Sequence, residues 1–268
     1  MRFQRLSDLK PPRPHERILA TLPEEIRMAE YAMAKAFQLN ELVRAIHKGS
    51  YEWYGYTLGS REEPELVADI GLPRNDRNVT DYTSVGPERI AEYQESLPRG
   101  RVITGWIHSH GILDFKGFSG TDEVNHATVL DYVTALLRKP VAKREVVIKD
   151  LVMLVKGDYG ETDLERGSVS LITDVPVGEA RILETVYGGF CYGIVIGDGG
   201  WHRQEIRYKW RGILSEQTTA SRKDAGMTLV ATGRLLTQAD IDALAEEVRE
   251  KIKPEARAPR ERYEKECT

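Results

Sequence analysis

His108 and His110 stand two positions apart at the end of the apolar run Val102–Ile107, in W-I-H-S-H. If that run is a strand, both imidazoles leave it on the same face. Neutral imidazoles hold a divalent ion at about 2.0–2.1 Å, and one carboxylate from a neighbouring element start would complete a three-ligand zinc centre with an open fourth position. Asp122 is placed to supply it, because S-G-T-D (Ser119–Asp122) marks the point where the following loop turns into a helix. Each half alone is weak: a strand-end His-x-His is more often surface or structural, and Ser119 with Asp122 reads equally as an ordinary helix cap. Their order (strand, His-Ser-His, loop, Ser-x-x-Asp, helix) brings all three candidates to two adjoining element ends. A zinc hydrolase also needs a group that takes a proton from the activated water. Glu52, at the start of the aromatic segment EWYGYTL, is the candidate, although a carboxylate there would ordinarily be a solvated strand end.

The elements that must position these residues follow from periodicity and punctuation, since the chain has no internal repeat or low-complexity tract. Thr21 and Glu24 form a capping-box pattern with Pro23 in the first turn. They predict a helix carrying Ile26, Met33, Phe37, Val43 and Ile46, with a break near Asn40 and an end at Gly49–Ser50. Glu52–Leu58 and Leu66–Leu72 predict a strand pair, 73–86 a loop with a short strand, and Pro87 a helix reaching about Leu97. Val129, Tyr132, Val133 and Leu136 mark a helix ending near Pro140; VVIKD and LVMLV follow as one long or two short strands. The stretch 156–184 is turn-rich and acidic, and Phe190–Ile196 and Trp201–Trp210 flank GDGG as a hairpin. The fold class is α/β. Its expected organisation is an extended segment 1–20, a main domain 21–214, a polar linker 215–236, a helix 237–253 capped by Thr237 and Asp240, and a flexible tail 254–268.

Composition removes several function classes. The 268 residues carry 38 Lys+Arg against 42 Asp+Glu, a formal net charge of −4, which argues against nucleic acid as a partner. At 41% hydrophobic and 30% charged the chain lies far from the disordered class. Cys191 and Cys267 make neither a disulfide framework nor a thiolate cage, and suit a reducing compartment. The N-terminal MRFQRLSDLKPPRPHER has no apolar core of signal length, and the longest mostly apolar run, Val186–Ile196, is 11 residues with three glycines. A cytoplasmic protein with no membrane partner is expected. Cys191 paired with His202 could be imagined as a nucleophile, but a buried structural thiol is the better reading. His126, one turn after Asp122, reads as helix surface, and His15 and His47 have no evident partners. The glycines at 188–200 match neither G-x-G-x-x-G nor a P-loop.

Taken together, Y-E-W-Y-G-Y-T-L-G, W-I-H-S-H and S-G-T-D resemble the pattern of the JAMM (MPN-plus) zinc metalloproteases, in which a strand Glu precedes H-x-H and S-x-x-D. The resemblance covers roughly residues 21–155. It implies an MPN/JAMM, cytidine-deaminase-like core with a mixed β-sheet flanked by helices, insertions at about 73–97 and 156–184, and a C-terminal helical extension. It implies Zn2+ held by His108, His110 and Asp122, Glu52 as general base and acid, and Ser119 as hydrogen-bond donor to the oxyanion. The activity implied is hydrolysis after the C-terminal glycine of a ubiquitin or ubiquitin-like protein, with its conjugates and E1- or E2-like enzymes as partners. Processing of a ubiquitin-like or sulfur-carrier precursor, or a non-catalytic MPN scaffold, are the alternatives. The chain departs from the family at two points: Gly111 stands where Pro is usual after the second His, and eight residues (GILDFKGF) replace the usual seven before the Ser.

Overall fold

A computed structural model of the chain describes residues 16–75, 86–111, 115–148, 152–155, 160–164, 170–173 and 180–254. The expected N-terminal segment, the short strand in 73–86, much of the acidic 156–184 stretch and the 254–268 tail lie wholly or largely outside them. From the N-terminus the elements are β1 (Glu16–Ile18), β2 (Glu25–Ala29), α1 (Glu30–His47), β3 (Tyr54–Ser60), β4 (Leu66–Val67), β5 (Asp69–Gly71) and α2 (Pro87–Ser96). Next come β6 (Arg101–Ser109), α3 (Gly120–Leu137), β7 (Lys139–Ile148), β8 (Val152–Val155), α4 (Glu161–Leu164) and β9 (Ser170–Thr173). The chain continues through β10 (Ala180–Ile196), β11 (His202–Gly212), β12 (Thr218–Asp224), β13 (Gly226–Val230) and α5 (Gln238–Lys251). The protein is α/β, with mixed strand pairing. Among the described residues no helix is long and apolar enough to cross a membrane.

The chain divides into two compact units. The larger comprises Leu22–Arg138, Gly189–Lys209 and Ala220–Thr268. In it the strand order is β10-β6-β3-β5, with β10 parallel to β6 (Tyr192↔Gly105 through Ile196↔Ser109) and β3 antiparallel to β6 (Tyr54↔His108, Tyr56↔Trp106). Strands covered on both faces read as continuous apolar runs, which is why VITGWI shows no alternation. On one face Tyr54, Tyr56 and Trp106 pack with Ile90 of α2 and Val129, Leu130 and Val133 of α3. Trp53 and Ser109 belong to the opposite face, where the Trp53 indole donates to Asn40 of α1.

The Thr21–Glu24 pattern does not start a helix. Residues 25–29 form β2, the middle strand of a small sheet in the order β13-β2-β4, parallel to β13 from Gly226↔Glu25 to Val230↔Ala29. Ile26 and Met28 are fully buried at alternate positions, and α1 begins only at Glu30, without a side-chain cap, and runs unbroken through Asn40. The stretch 215–236, expected as a linker, carries β12 and β13. α5 begins at the expected capping box of Thr237 and Asp240 and buries Leu244 and Val248. In the smaller unit (Met1–Thr21, Lys139–Gly188, Trp210–Thr219) β7 lies between β1 and the first half of β10, antiparallel to both. There the buried Glu184 carboxylate accepts from Arg144 and from the Leu214 and Ser215 amides.

Candidate metal centre

β6 carries His108 as its penultimate residue, and the ladder extends past its end because the His110 amide donates to the Ile196 carbonyl at 2.9 Å. The two imidazoles therefore share the α3 face while Ser109 between them points away, within 3.3 Å of the Trp53 amide. The antiparallel pairing Tyr54↔His108, carried two residues further, sets Glu52 opposite His110 and on the same face. The Ser119–Asp122 pair forms a true capping box at the start of α3: the Asp122 amide donates to Ser119 Oγ (3.3 Å), and the Ser119 amide to Asp122 Oδ2 (2.6 Å). That box turns the Asp122 carboxylate back toward the end of β6.

All three candidate ligands are buried, at 3% exposure for His108, 4% for His110 and 6% for Asp122. The Nε2 atoms of His108 and His110 lie 3.0 Å apart, with Asp122 Oδ1 3.3 Å from the first and Oδ2 3.5 Å from the second. Ligand atoms about 2.0–2.1 Å from one tetrahedral ion would be separated by roughly 3.4 Å, close to each of these contacts, of which the two from Asp122 end on different oxygens, and one donor atom from each residue lies within 4.8 Å of the others. The donor set, two imidazoles and one carboxylate, is that of a divalent metal with an open position, and it is the cluster of this kind among the described residues.

Protonation agrees. His110 Nδ1–H donates to the Phe115 carbonyl at 2.8 Å, which fixes its tautomer and leaves a lone pair on Nε2. Burial pushes the His108 imidazole below its ordinary range, against the pull of Asp122, so it stays neutral; its Nδ1 is buried without a hydrogen-bond partner. For His110 burial acts in the same direction, but the hydrogen bonds of Asp122 and the Phe115 carbonyl and the negative charge of Glu52 outweigh it and raise the group. Burial would raise Asp122, yet His108, His110 and the Ser119 amide hold its carboxyl well below the usual carboxylate range. Glu52 thus acts on His110 electrostatically, from a half-buried position just before β3.

Gly111 follows His110 at φ +53, in the left-handed region, and a Cβ there would press on Ser50 Oγ. Proline, locked near φ −65°, cannot adopt this backbone. Around the cluster, Phe115 stacks on His110 at 5.7 Å, Trp201 meets it edge-on at 6.3 Å and Trp106 stacks on His108 at 4.3 Å.

One reading is corrected. His126 is 1% exposed, and it lies against Trp106 and Phe118 rather than on the helix surface. Its Nδ1–H donates to Glu205, which also accepts from Arg207, and Gly193 leaves the space its ring fills. The signal was available: His126 is four residues after Asp122, hence on the same helix face. Glu205 and Arg207, from β11, had none. Cys191 is buried as expected, its thiol pushed up to about 12 by burial, and His202 pairs with Gln204 at the surface. Comparison with known proteins found no matching family model and no matching curated sequence.

Proposed function

We propose that this protein is a zinc-dependent peptidase of the JAMM (MPN-plus) type, with an MPN-like core, that hydrolyses the bond after the C-terminal glycine of a ubiquitin or ubiquitin-like protein. The observation that supports it most is the convergence of His108, His110 and Asp122 within 3.5 Å of one another, with Glu52 close enough for its charge to act on His110. His108 and His110 through Nε2, and Asp122 through its carboxylate, would hold the ion. Zinc, when bound, supplies Lewis acidity that polarises a carbonyl and acidifies water.

The remaining work falls to side chains of the chain. Glu52 takes a proton from water on one oxygen and delivers it to the departing amine. It lies close enough to His110 for its charge to act on that imidazole. Ser119 Oγ accepts the Asp122 amide, so its own O–H stays free to donate to the oxyanion of the tetrahedral species. The donor set is buried, with the Trp106 and Phe118 rings packed against His108 and Phe115 stacked on His110. No covalent acyl-enzyme is required.

Glu52→Gln tests this reading. The amide is nearly isosteric but accepts no proton, so one zinc per chain should remain while turnover of a ubiquitin-like conjugate falls by at least about 100-fold. Wild-type activity should vanish with a strong chelator and return with zinc. An isopeptide conjugate and a C-terminally extended precursor, assayed side by side, decide between conjugate cleavage and precursor processing. A zinc-loaded wild type that cuts neither would leave the scaffold role standing.

A further inference from the structure

Behind the metal centre, on the sheet face opposite His108 and His110, lies a small polar knot. Asn40, in the middle of α1 and 5% exposed, donates from Nδ2 to Asp198 Oδ1 at 2.6 Å and accepts the Trp53 indole N–H at 3.2 Å. Asp198 sits at the tip of the β10–β11 hairpin. Its Oδ2 accepts the Ser50 hydroxyl at 3.2 Å, and its amide donates to the Gly111 carbonyl at 2.9 Å. Trp53 in turn exchanges hydrogen bonds with Ser109: its carbonyl accepts the Ser109 amide at 2.9 Å, and its amide donates to Ser109 Oγ at 3.3 Å.

The bonds share a geometric consequence. Ser50 and Trp53 flank Glu52 in sequence, and both are fixed to the Asn40–Asp198 pair. Ser109, between the two histidines, is bonded to Trp53, and Gly111, directly after the second, accepts the Asp198 backbone amide. Ser109 Oγ also lies 3.5 Å from the Tyr51 carbonyl, a further link between the two segments. Asn40 is buried and Asp198 part-buried, and their pairing holds its neighbours to one arrangement because the alternatives leave the buried Asn40 amide unpaired.

We propose that Asn40 and Asp198 are positioning residues that fix Glu52 relative to His108, His110 and Asp122. The inference rests on Glu52 carrying the proton in the proposed reaction. Neither residue reaches the cluster itself; they act by locking the Ser50–Trp53 segment against the His110–Gly111 turn. A displacement of about 1 Å at a proton carrier costs on the order of 100-fold in rate, so the knot's effect belongs in kcat and not in zinc binding or KM.

A charge swap tests it. Asn40→Asp puts two carboxylates where a 2.6 Å hydrogen bond now stands. Asp198→Asn alone keeps the hydrogen bonds, since an amide oxygen still accepts from Asn40 and its NH2 can donate to Ser50 Oγ, and gives up only the 3.8 Å ion pair with the exposed Arg44. The double variant Asn40→Asp/Asp198→Asn restores donor and acceptor in exchanged places. Amide hydrogen exchange of residues 50–53 in the metal-free protein reads the clamp without any activity. Zinc content, KM and kcat of the zinc-loaded protein read its consequence.

Asn40→Asp should raise exchange at 50–53 by about tenfold or more and lower kcat by roughly 10- to 100-fold, with zinc content and KM near wild type. The double variant should recover both to within about threefold, and Asp198→Asn should stay close to wild type. Ser50→Ala, which leaves no buried charge unpaired, covers the case in which Asn40→Asp does not fold; it should move exchange and kcat in the same direction by a few-fold. Unchanged exchange in Asn40→Asp and Ser50→Ala, failure of the swap to rescue, or loosened exchange with kcat intact would each overturn the proposal. A wild type inactive on every substrate would instead overturn the proposed function, and the exchange arm would still decide whether Asn40 and Asp198 hold Glu52 in place.

Discussion

Gly111→Ala is the most direct perturbation of the turn that carries His110. The residue sits at φ +53, where an L side chain costs about 1–2 kcal/mol. The added methyl would also press on Ser50 Oγ and approach Ser50 Cβ at 3.3 Å, so the hydroxyl must rotate away. Rotation breaks its bond to Asp198 Oδ2, worth about 1 kcal/mol. The two effects sum to roughly 2–3 kcal/mol, or a fall in Tm of about 5–10 °C for a chain of this size. Gly111→Pro should be worse, because φ near −65° would reverse the turn after His110. Thermal melts with and without zinc, together with kcat, measure both variants. If Gly111→Ala melts within about 1 °C of wild type at full activity, the left-handed conformation and the Ser50 contact do not matter as argued. If Gly111→Pro behaves as wild type, the left-handed turn after His110 is not required.

Two further predictions concern the buried imidazoles. His126 titrates near 4 in the fold, driven down by burial with Glu205 pulling the other way, against 6.5 for a free imidazole. The unfolded chain therefore binds the extra proton, so stability is complete above about pH 6.5 and falls by about 3 kcal/mol as pH drops to 4; urea midpoints should show this limb, flattened in His126→Gln. His108→Phe removes the unpartnered buried Nδ1 and keeps the stack on Trp106, but it also takes away the Nε2 that faces Asp122 Oδ1, so in chelator the two effects should leave stability within about 1–2 kcal/mol of wild type. With zinc the wild type should gain clearly more, since only it has the full ligand set, and equal stabilisation of both proteins by zinc would refute the reading of His108 as a ligand.

What the sequence makes legible is local. Alternation put His108 and His110 on one face of β6, and start signals placed α2, α3 and α5, because caps and period are written within a few residues. The GDGG turn likewise announced the β10–β11 hairpin. The missed features depend on partners far away in the chain. β2 is a strand only because β13, some 200 residues later, pairs with it, so the local Thr21–Glu24 pattern misleads. The burial of His126 depends on Glu205 and on the missing Cβ of Gly193, both brought by strands from beyond residue 180. Asn40 looked like a helix interruption; its role needs Asp198, 158 positions on. Even the Glu52–His110 juxtaposition needs the β3–β6 register, which no property of either segment states.

Helix cap and metal ligand, the two readings of Ser119–Asp122, are not alternatives in this geometry. The box engages Oδ2 with the Ser119 amide and leaves Oδ1 to face His108 Nε2 at 3.3 Å, so the start of α3 doubles as the arm that holds the carboxylate. The positive end of the helix favours the anionic form, as do the neighbouring imidazoles. Charge and shape can be separated by substitution. In Asp122→Asn the amide oxygen still accepts the Ser119 amide, so the cap and the metal-free stability should be retained to within about 0.5 kcal/mol, yet the neutral side chain should no longer hold zinc. Asp122→Ala should lose the zinc and also about 1 kcal/mol of metal-free stability. Elemental analysis and urea melts in chelator measure the two effects. Stoichiometric zinc in Asp122→Asn would remove Asp122 from the ligand set, whereas equal metal-free stability of the Asn and Ala variants would mean that the box orients the carboxylate without stabilising the helix.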